Sequence, residues 1–217
     1  MDTINMLILL PPSESKSLIS TGSVTTSKLF GSRHVAKTES LFSNAQYSGK
    51  EYCDFSNTLE AGSRYTGVVW KGIDVSSPQL EHIFIPNPVL TLSNYYDYIP
   101  NYKFSYKPSD LSLSKDLEIY RNELLNDFFL SNSEIILDFT TVEIRNSIYT
   151  KKTRDLGNIY KFNYSSANKK LLGHFGKSVK GNHVNNILLN LDLSSTSFKS
   201  KDIVKLCTQT GVYLTID

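Results

Sequence analysis

A chain of 217 residues, 40% hydrophobic and 20% charged, is long enough to bury a core and too apolar to be disordered. A net charge of +2 excludes the strongly basic class whose charge alone announces nucleic-acid binding. Two cysteines, Cys53 and Cys207, exclude a disulfide framework and a cysteine-built zinc site.

Met6–Leu10 is a continuous apolar run stopped by Pro11 and Pro12, the pattern of a buried interior strand with function on the loop at its carboxyl end. Ser13, Glu14 and Lys16 occupy that loop, although a polar cluster after a strand can be a plain turn. Ser20–Ser32, rich in Ser, Thr and Gly, predicts a mobile loop. Tyr65–Ile73 reads as a strand, with a helix left open by its shortness. Glu81–Ile85 reads as a second short strand, ended by Pro86 and Pro88. Asn101–Tyr106 alternates Tyr102, Phe104 and Tyr106 with polar residues, as a half-buried strand does.

Ser114–Phe129 is the clearest helix, with Ser114 as its cap and an apolar face of Leu117, Tyr120, Leu124 and Phe128. Glu134–Phe139 follows as a strand, then a short helix from about Thr141. Gly157–Tyr164 alternates as an antiparallel strand would. A helix from about Lys177 to Asn190, another over Ser200–Thr208 and a closing strand at Val212–Ile216 complete the chain. No repeat and no long linker interrupts it. The expectation is an α/β (α+β) fold: one domain over residues 1–217, with 1–5 as a short extension and a mixed sheet flanked by helices.

The densest chemistry lies in Gly173–His183. On a helix Lys177, Lys180 and Gly181 share a face, and the absent Cβ of Gly181 leaves room for a ligand or for another backbone. The positive end of the helix dipole then favours an anion, phosphate above all. Two solvated lysines and a packing glycine are the plainer alternative. Gly176-Lys177-Ser178 would close a Walker A loop, but Leu171 stands where its first glycine belongs, and no Gly-x-Gly occurs.

From Lys151 to His183 eight basic residues face only Asp155, whereas Asp110–Arg145 is predominantly acidic, so one positively charged face is expected. Four scattered histidines give no metal-binding spacing. Trp70, the single tryptophan, is better explained by core packing than by base stacking. Without a basic-plus-apolar leader or a run of roughly 18 apolar residues, the expectation is a cytoplasmic, reduced protein with no membrane partner, metal or cofactor.

Taken together, Met6–Lys16, Tyr65-Thr66-Gly67, Ile136–Thr141 and His174-Phe175-x-Lys177-x-x-Lys180-Gly181 resemble the YaaA family of bacterial peroxide-stress proteins, in its Pro-Pro-Ser-Glu branch. The resemblance runs from about Met6 to the C-terminus. It implies a YaaA-like fold and a stress-response protein whose basic cleft binds a polyanion, including nucleic acid. The alternative is an enzyme acting on a nucleobase, nucleotide or other small phosphorylated ligand in that cleft. The ligand-binding residues so implied are Ser13, Glu14, Lys16, Tyr65, Thr66, Gly67, Tyr102, Lys103, His174, Lys177, Lys180 and Gly181. Three departures stand out. Ile85–Asn94 lacks the family's glycines, Tyr102-Lys103 replaces a Tyr-Arg step, and Ser17–Arg64 contains no glycine-spaced helix-hairpin-helix.

Overall fold

The computed structural model describes residues 6–43, 52–104, 115–131, 135–165, 174–193 and 213–216. Strands β1 (Met6–Leu9), β3 (Ile83–Asn87), β4 (Thr91–Asn94), β6 (Ile135–Asp138), β7 (Ile159–Ser165) and β8 (Tyr213–Ile216) form a six-stranded sheet in the order β4-β3-β1-β6-β7-β8. β3, β1, β6 and β7 run parallel, and antiparallel β4 and β8 close the two edges. A second sheet pairs β2 (Cys53–Glu60) with β5 (Tyr98–Tyr102). The fold is mixed α/β, with helices α1 (Gly31–Ser43), α2 (Ala61–Arg64), α3 (Lys115–Ser131), α4 (Val142–Ile148) and α5 (His174–Asn190).

β1 is uniformly apolar because both of its faces are covered. Met6, Ile8 and Leu10 enter one core with Ile83, Leu137 and Phe139, closed by Trp70 and by Val184, Ile187 and Leu188 of α5. Leu7 and Leu9 enter the other with Phe84 and Ile136, closed by Leu125 and Phe129 of α3 and Ile144 and Ile148 of α4. Register is fixed by Ile8 opposite Ile83 on one side and Leu9 opposite Asp138 on the other. Since β1 continues to β3 and the chain later returns to β6, connections diverge at the β1–β6 seam. In parallel sheets that divergence opens a crevice at the carboxyl ends.

Several elements differ from the sequence expectation. Tyr65–Ile73 is not a strand: Tyr65 makes a lone bridge to Lys16, and Trp70–Gly72 forms a 3₁₀ turn. Gly67 and Gly72 interrupt the apolar alternation because their backbones meet Ser13 and Gly181. Gly157–Tyr164 alternates as expected, yet β7 runs parallel to β6 and antiparallel only to β8. Alternation reports half-burial; it carries no direction.

The α3 face is rotated, with Leu117, Arg121, Leu125 and Phe129 innermost and Tyr120, Leu124 and Phe128 on its flank. An arginine inside the stripe shifts the apolar reading by one position. Residues 20–30 are fastened along β2 and β5 by Thr21 N to Thr58 O (2.9 Å) and Thr26 N to Tyr98 O (2.9 Å). The Asp97 carboxylate also accepts from Lys28 N at 2.7 Å.

The glycine-free stretch Ile85–Asn94 forms the β3–β4 hairpin. Asn87 Oδ1 accepts the amides of Val89 (2.8 Å) and Leu90 (3.1 Å), and Thr91 takes the left-handed conformation at φ 68°. A buried asparagine and a strained threonine thus build a turn where glycine would have cost less. The helix expected at Ser200–Thr208, Ser114 as a cap, and Tyr106 lie outside the described residues.

Candidate functional site at the carboxyl ends of β1 and β6

The chain leaves β1 through Pro11–Lys16 and lies against the turn that follows α2. Lys16 bridges Tyr65, Thr66 N donates to Ser15 O (3.1 Å), and Ser17 N donates to Arg64 O (2.8 Å). The Ser13 side chain occupies the position a Cβ on Gly67 would need, so glycine there is a packing requirement. Trp70 Nε1 donates to Pro11 O at 3.2 Å, and its ring stacks on Tyr65 with centroids 5.3 Å apart. Trp70 is a core residue, as the sequence suggested.

Under Lys16 lies an aromatic floor. Its Nζ sits 4.5 Å from the Tyr102 ring centroid and 5.9 Å from that of Tyr65. The two tyrosine hydroxyls share a 2.6 Å hydrogen bond beneath it. Burial pulls the Lys16 ammonium down to about 8; Glu14 opposes the shift and the buried Arg64 guanidinium adds to it. Burial likewise holds the Tyr65 phenol above its ordinary range, so that hydroxyl stays protonated. Arg64 itself is consumed structurally, donating to the carbonyls of Ser17 (2.6 Å), Ile19 (3.1 Å) and Asn57 (2.9 Å).

The second group comes from α5, which begins at His174, three residues earlier than expected. Gly181 does not open onto a ligand. A Cβ there would overlap the Val69 carbonyl oxygen, and the Gly72 backbone lies beside it. The room expected above this glycine is filled by the 3₁₀ turn. Lys180, its neighbour, points to the carboxyl end of β6 and donates from Nζ to the Phe139 carbonyl. Its Nζ also lies 5.5 Å from the Tyr164 ring centroid. Burial, reinforced by Arg145 and Lys177 and opposed by Asp138, brings the Lys180 ammonium down to about 8.

These two groups attach to one seam. Phe139 N donates to Leu9 O at 2.9 Å, which joins the end of β1, from which the Lys16 loop leaves, to the residue whose carbonyl Lys180 bonds. The turn at residues 67–72 touches Ser13 on one side and Gly181 on the other. The ion pairs of the described residues are Lys28–Glu81 and Arg145–Asp138, so no described carboxylate pairs with Lys16, Lys177 or Lys180.

The remaining residues named from the sequence are peripheral. Glu14 and Thr66 are exposed, Lys177 is exposed one turn before Lys180, and Lys103 is exposed with its amide bonded to Tyr52 O (2.8 Å). The side chain of His174 lies outside the described residues. Sequence reading missed the buried cluster that anchors the end of β6. Asp138 Oδ1 accepts from Thr140 N (2.7 Å) and Thr140 Oγ1 (2.6 Å), and Oδ2 accepts from Arg145 Nε (3.1 Å) and Tyr149 Oη (2.9 Å). An aspartate closing an otherwise apolar strand was the available signal.

Among the described residues no group of three or more His, Cys, Asp or Glu is placed to hold a metal ion. None of the described helices is long and apolar enough to cross a membrane. No protein-family model matches the chain, and no curated protein matches it significantly.

Proposed function

We propose that the chain binds a small anionic ligand, phosphorylated or carboxylated, at the carboxyl ends of β1 and β6, with Lys16 and Lys180 as its principal charge contacts. One observation carries this reading: two half-buried lysines at a parallel-sheet switch point have no described carboxylate in an ion pair with them. A buried charge is ordinarily paired, because desolvation otherwise opposes folding. A half-buried ammonium without a carboxylate partner, at a strand end, is therefore best explained by an anion that arrives from solution. Lys177, exposed one turn away, extends the same positive field.

The polyanion reading implied by the YaaA resemblance retains support from a different place. Lys151, Lys152 and Arg154 are exposed together in the loop before β7. Lys161 and Lys180 do not join that fringe, since both ammonium groups are tied to backbone carbonyls, of Arg154 (2.5 Å) and Phe139. The two readings therefore use different lysines. The setting of peroxide protection belongs to the resemblance, and a cytoplasmic location to the sequence expectation.

Titration of inorganic phosphate and of short duplex DNA at two salt concentrations and several pH values distinguishes them. Phosphate is expected to bind with a defined stoichiometry, and its affinity to fall as pH rises through about 8, where Lys16 and Lys180 lose their charge. DNA binding through exposed lysines would instead fall steeply with salt and little across that pH interval. Phosphate affinity that is flat from pH 7 to 9 would overturn the two-lysine site.

A further inference from the structure

Residues 17–28, which follow Lys16, cross the small sheet without an apolar anchor. Leu18, Ile19 and Val24, the apolar side chains of this stretch, are 75%, 70% and 83% exposed. Its buried side chains are polar, Thr25 and Ser27, and the Thr25 hydroxyl has no hydrogen-bond partner among the described residues. Packing resumes at Leu29 and Phe30, which lie against the core that α3 and α4 close. We propose that residues 17–28 form a strap that opens as one unit while the core stays folded, and that an anion held by Lys16 keeps it shut. This assigns a means of regulation to the anion site and rests on the anion-binding reading.

The described contacts that hold the strap are polar. Arg64 Nη1 donates to Ser17 O (2.6 Å) and Ile19 O (3.1 Å), Thr21 N donates to Thr58 O (2.9 Å), and the Thr58 hydroxyl donates to Ser23 O. Farther along, Thr26 N donates to Tyr98 O (2.9 Å), Tyr98 N to Thr26 Oγ1 (2.8 Å), and Lys28 N to Asp97 Oδ1 (2.7 Å). The Lys28–Glu81 pair, at 4.0 Å and half exposed on both sides, adds little. Lifting the strap exchanges each of these bonds for one with water, so the net hold per bond is small. A segment with few apolar contacts opens well below the free energy of global unfolding.

Two further features favour opening. Arg64 is 0% exposed and belongs to neither ion pair of the described residues, so release returns an unpaired guanidinium to water. Gly22, between the two fastened halves, has φ 67° with nothing within 4 Å of where a Cβ would stand. Glycine is needed there for conformation rather than for room, and it forms a joint in the strap.

Lys16, at the root of the strap, couples it to the site. Its backbone bridges Tyr65 and its Nζ lies over Tyr102, the last residue of β5, whereas Thr26 fastens the far half to Tyr98, the first. An anion held between Lys16 and Lys180 binds the closed arrangement better than the open one. It therefore shifts the population toward closure by that difference in affinity.

Hydrogen–deuterium exchange of the full chain at pH 7, read by mass spectrometry with and without saturating phosphate, tests the proposal. Without phosphate, peptides spanning 17–22 and 23–28 are expected to exchange at one rate, at least about tenfold faster than β1. Phosphate should slow both peptides and leave β1 unchanged. Thr26→Val removes the hydroxyl that holds Tyr98 N and should speed exchange roughly twofold to tenfold. The increase should reach 17–22 as well as 23–28, because one opening exposes both. Strap peptides that exchange at the rate of β1, or an increase confined to 23–28, would overturn the proposal. Fast strap exchange that phosphate leaves unchanged, with phosphate bound by calorimetry, would overturn closure by the anion and spare the anion site. Absence of phosphate binding would overturn both.

Discussion

Lys180→Met is expected to make the ligand-free protein more stable by about 1–2 kcal/mol while weakening phosphate at least tenfold. The gain comes from removing a charge that folding has to strip of water. An ammonium drawn from 10.5 to about 8 corresponds to a differential cost on the order of 3 kcal/mol. Part of that gain is offset because the Phe139 carbonyl loses its donor, a penalty of about 1 kcal/mol. The sign is what matters, since most core substitutions destabilise.

The linkage works in the same direction. Below pH of about 8 the native and unfolded chains both carry the proton, and the full cost of burying the charge is present. Between about 8 and 10.5 the unfolded chain binds more protons than the native one at Lys16 and Lys180, so these two groups make stability rise with pH. In Lys180→Met the rise should be smaller. Denaturant unfolding of both proteins at pH 7 and pH 9.5 provides the check. A variant less stable than the parent would mean that Lys180 serves the fold.

Arg145→Ala is expected to have the opposite character, a loss of about 3–5 kcal/mol. Its guanidinium makes contacts that a single point charge could not: Nε to Asp138 Oδ2 (3.1 Å), one terminal nitrogen to Asn163 Oδ1 (2.5 Å), and the other to the carbonyls of Asp138 (3.0 Å) and Phe162 (2.9 Å). These bonds staple α4 to the end of β6 and the middle of β7. Without them Asp138, fully buried, is left with an uncompensated charge. Arg145→Lys should recover little, because the planar fork distributes the bonds and an ammonium cannot. Thermal unfolding of the two variants measures this. Near-parental stability of Arg145→Ala would show that the cluster is not the anchor of the seam.

The sequence revealed the parts of this architecture whose physics is local. Met6–Leu10 announced itself as an interior strand because burial on both faces leaves no polar position, and the double proline marked its end. The Lys177–Gly181 spacing pointed to α5, and the apolar run ahead of Phe139 pointed to β6. Partner identity was not local.

Gly181 reads as an opening on a helix, but only the fold shows that the Val69 carbonyl fills it. α1 was invisible because two of its buried positions are His34 and Thr38. His34 is satisfied by Leu90 O (3.0 Å) and Tyr120 Oη (3.1 Å), contacts far away in sequence. The pairing of Lys16 with the faces of Tyr65 and Tyr102 likewise depends on the β2–β5 sheet: the alternation at Asn101–Tyr106 overlaps only the end of β5, which spans Tyr98–Tyr102, and β2 was not read at all.

The central claim is that Lys16 and Lys180 act on one ligand, and a double-mutant cycle tests it most directly. Phosphate affinity is to be measured by calorimetry at pH 7 for the parent, Lys16→Met, Lys180→Met and the double variant, with Lys152→Ala as an exposed control. Each single loss of a charge-assisted contact should cost about 1.5–3 kcal/mol, roughly a tenfold to hundredfold change in Kd. If both ammonium groups touch the same anion, the double variant should lose less than the sum of the singles, by at least about 0.5 kcal/mol. Strict additivity, or losses no larger than that of Lys152→Ala, would contradict a shared site and leave the two lysines as separate features of the surface field.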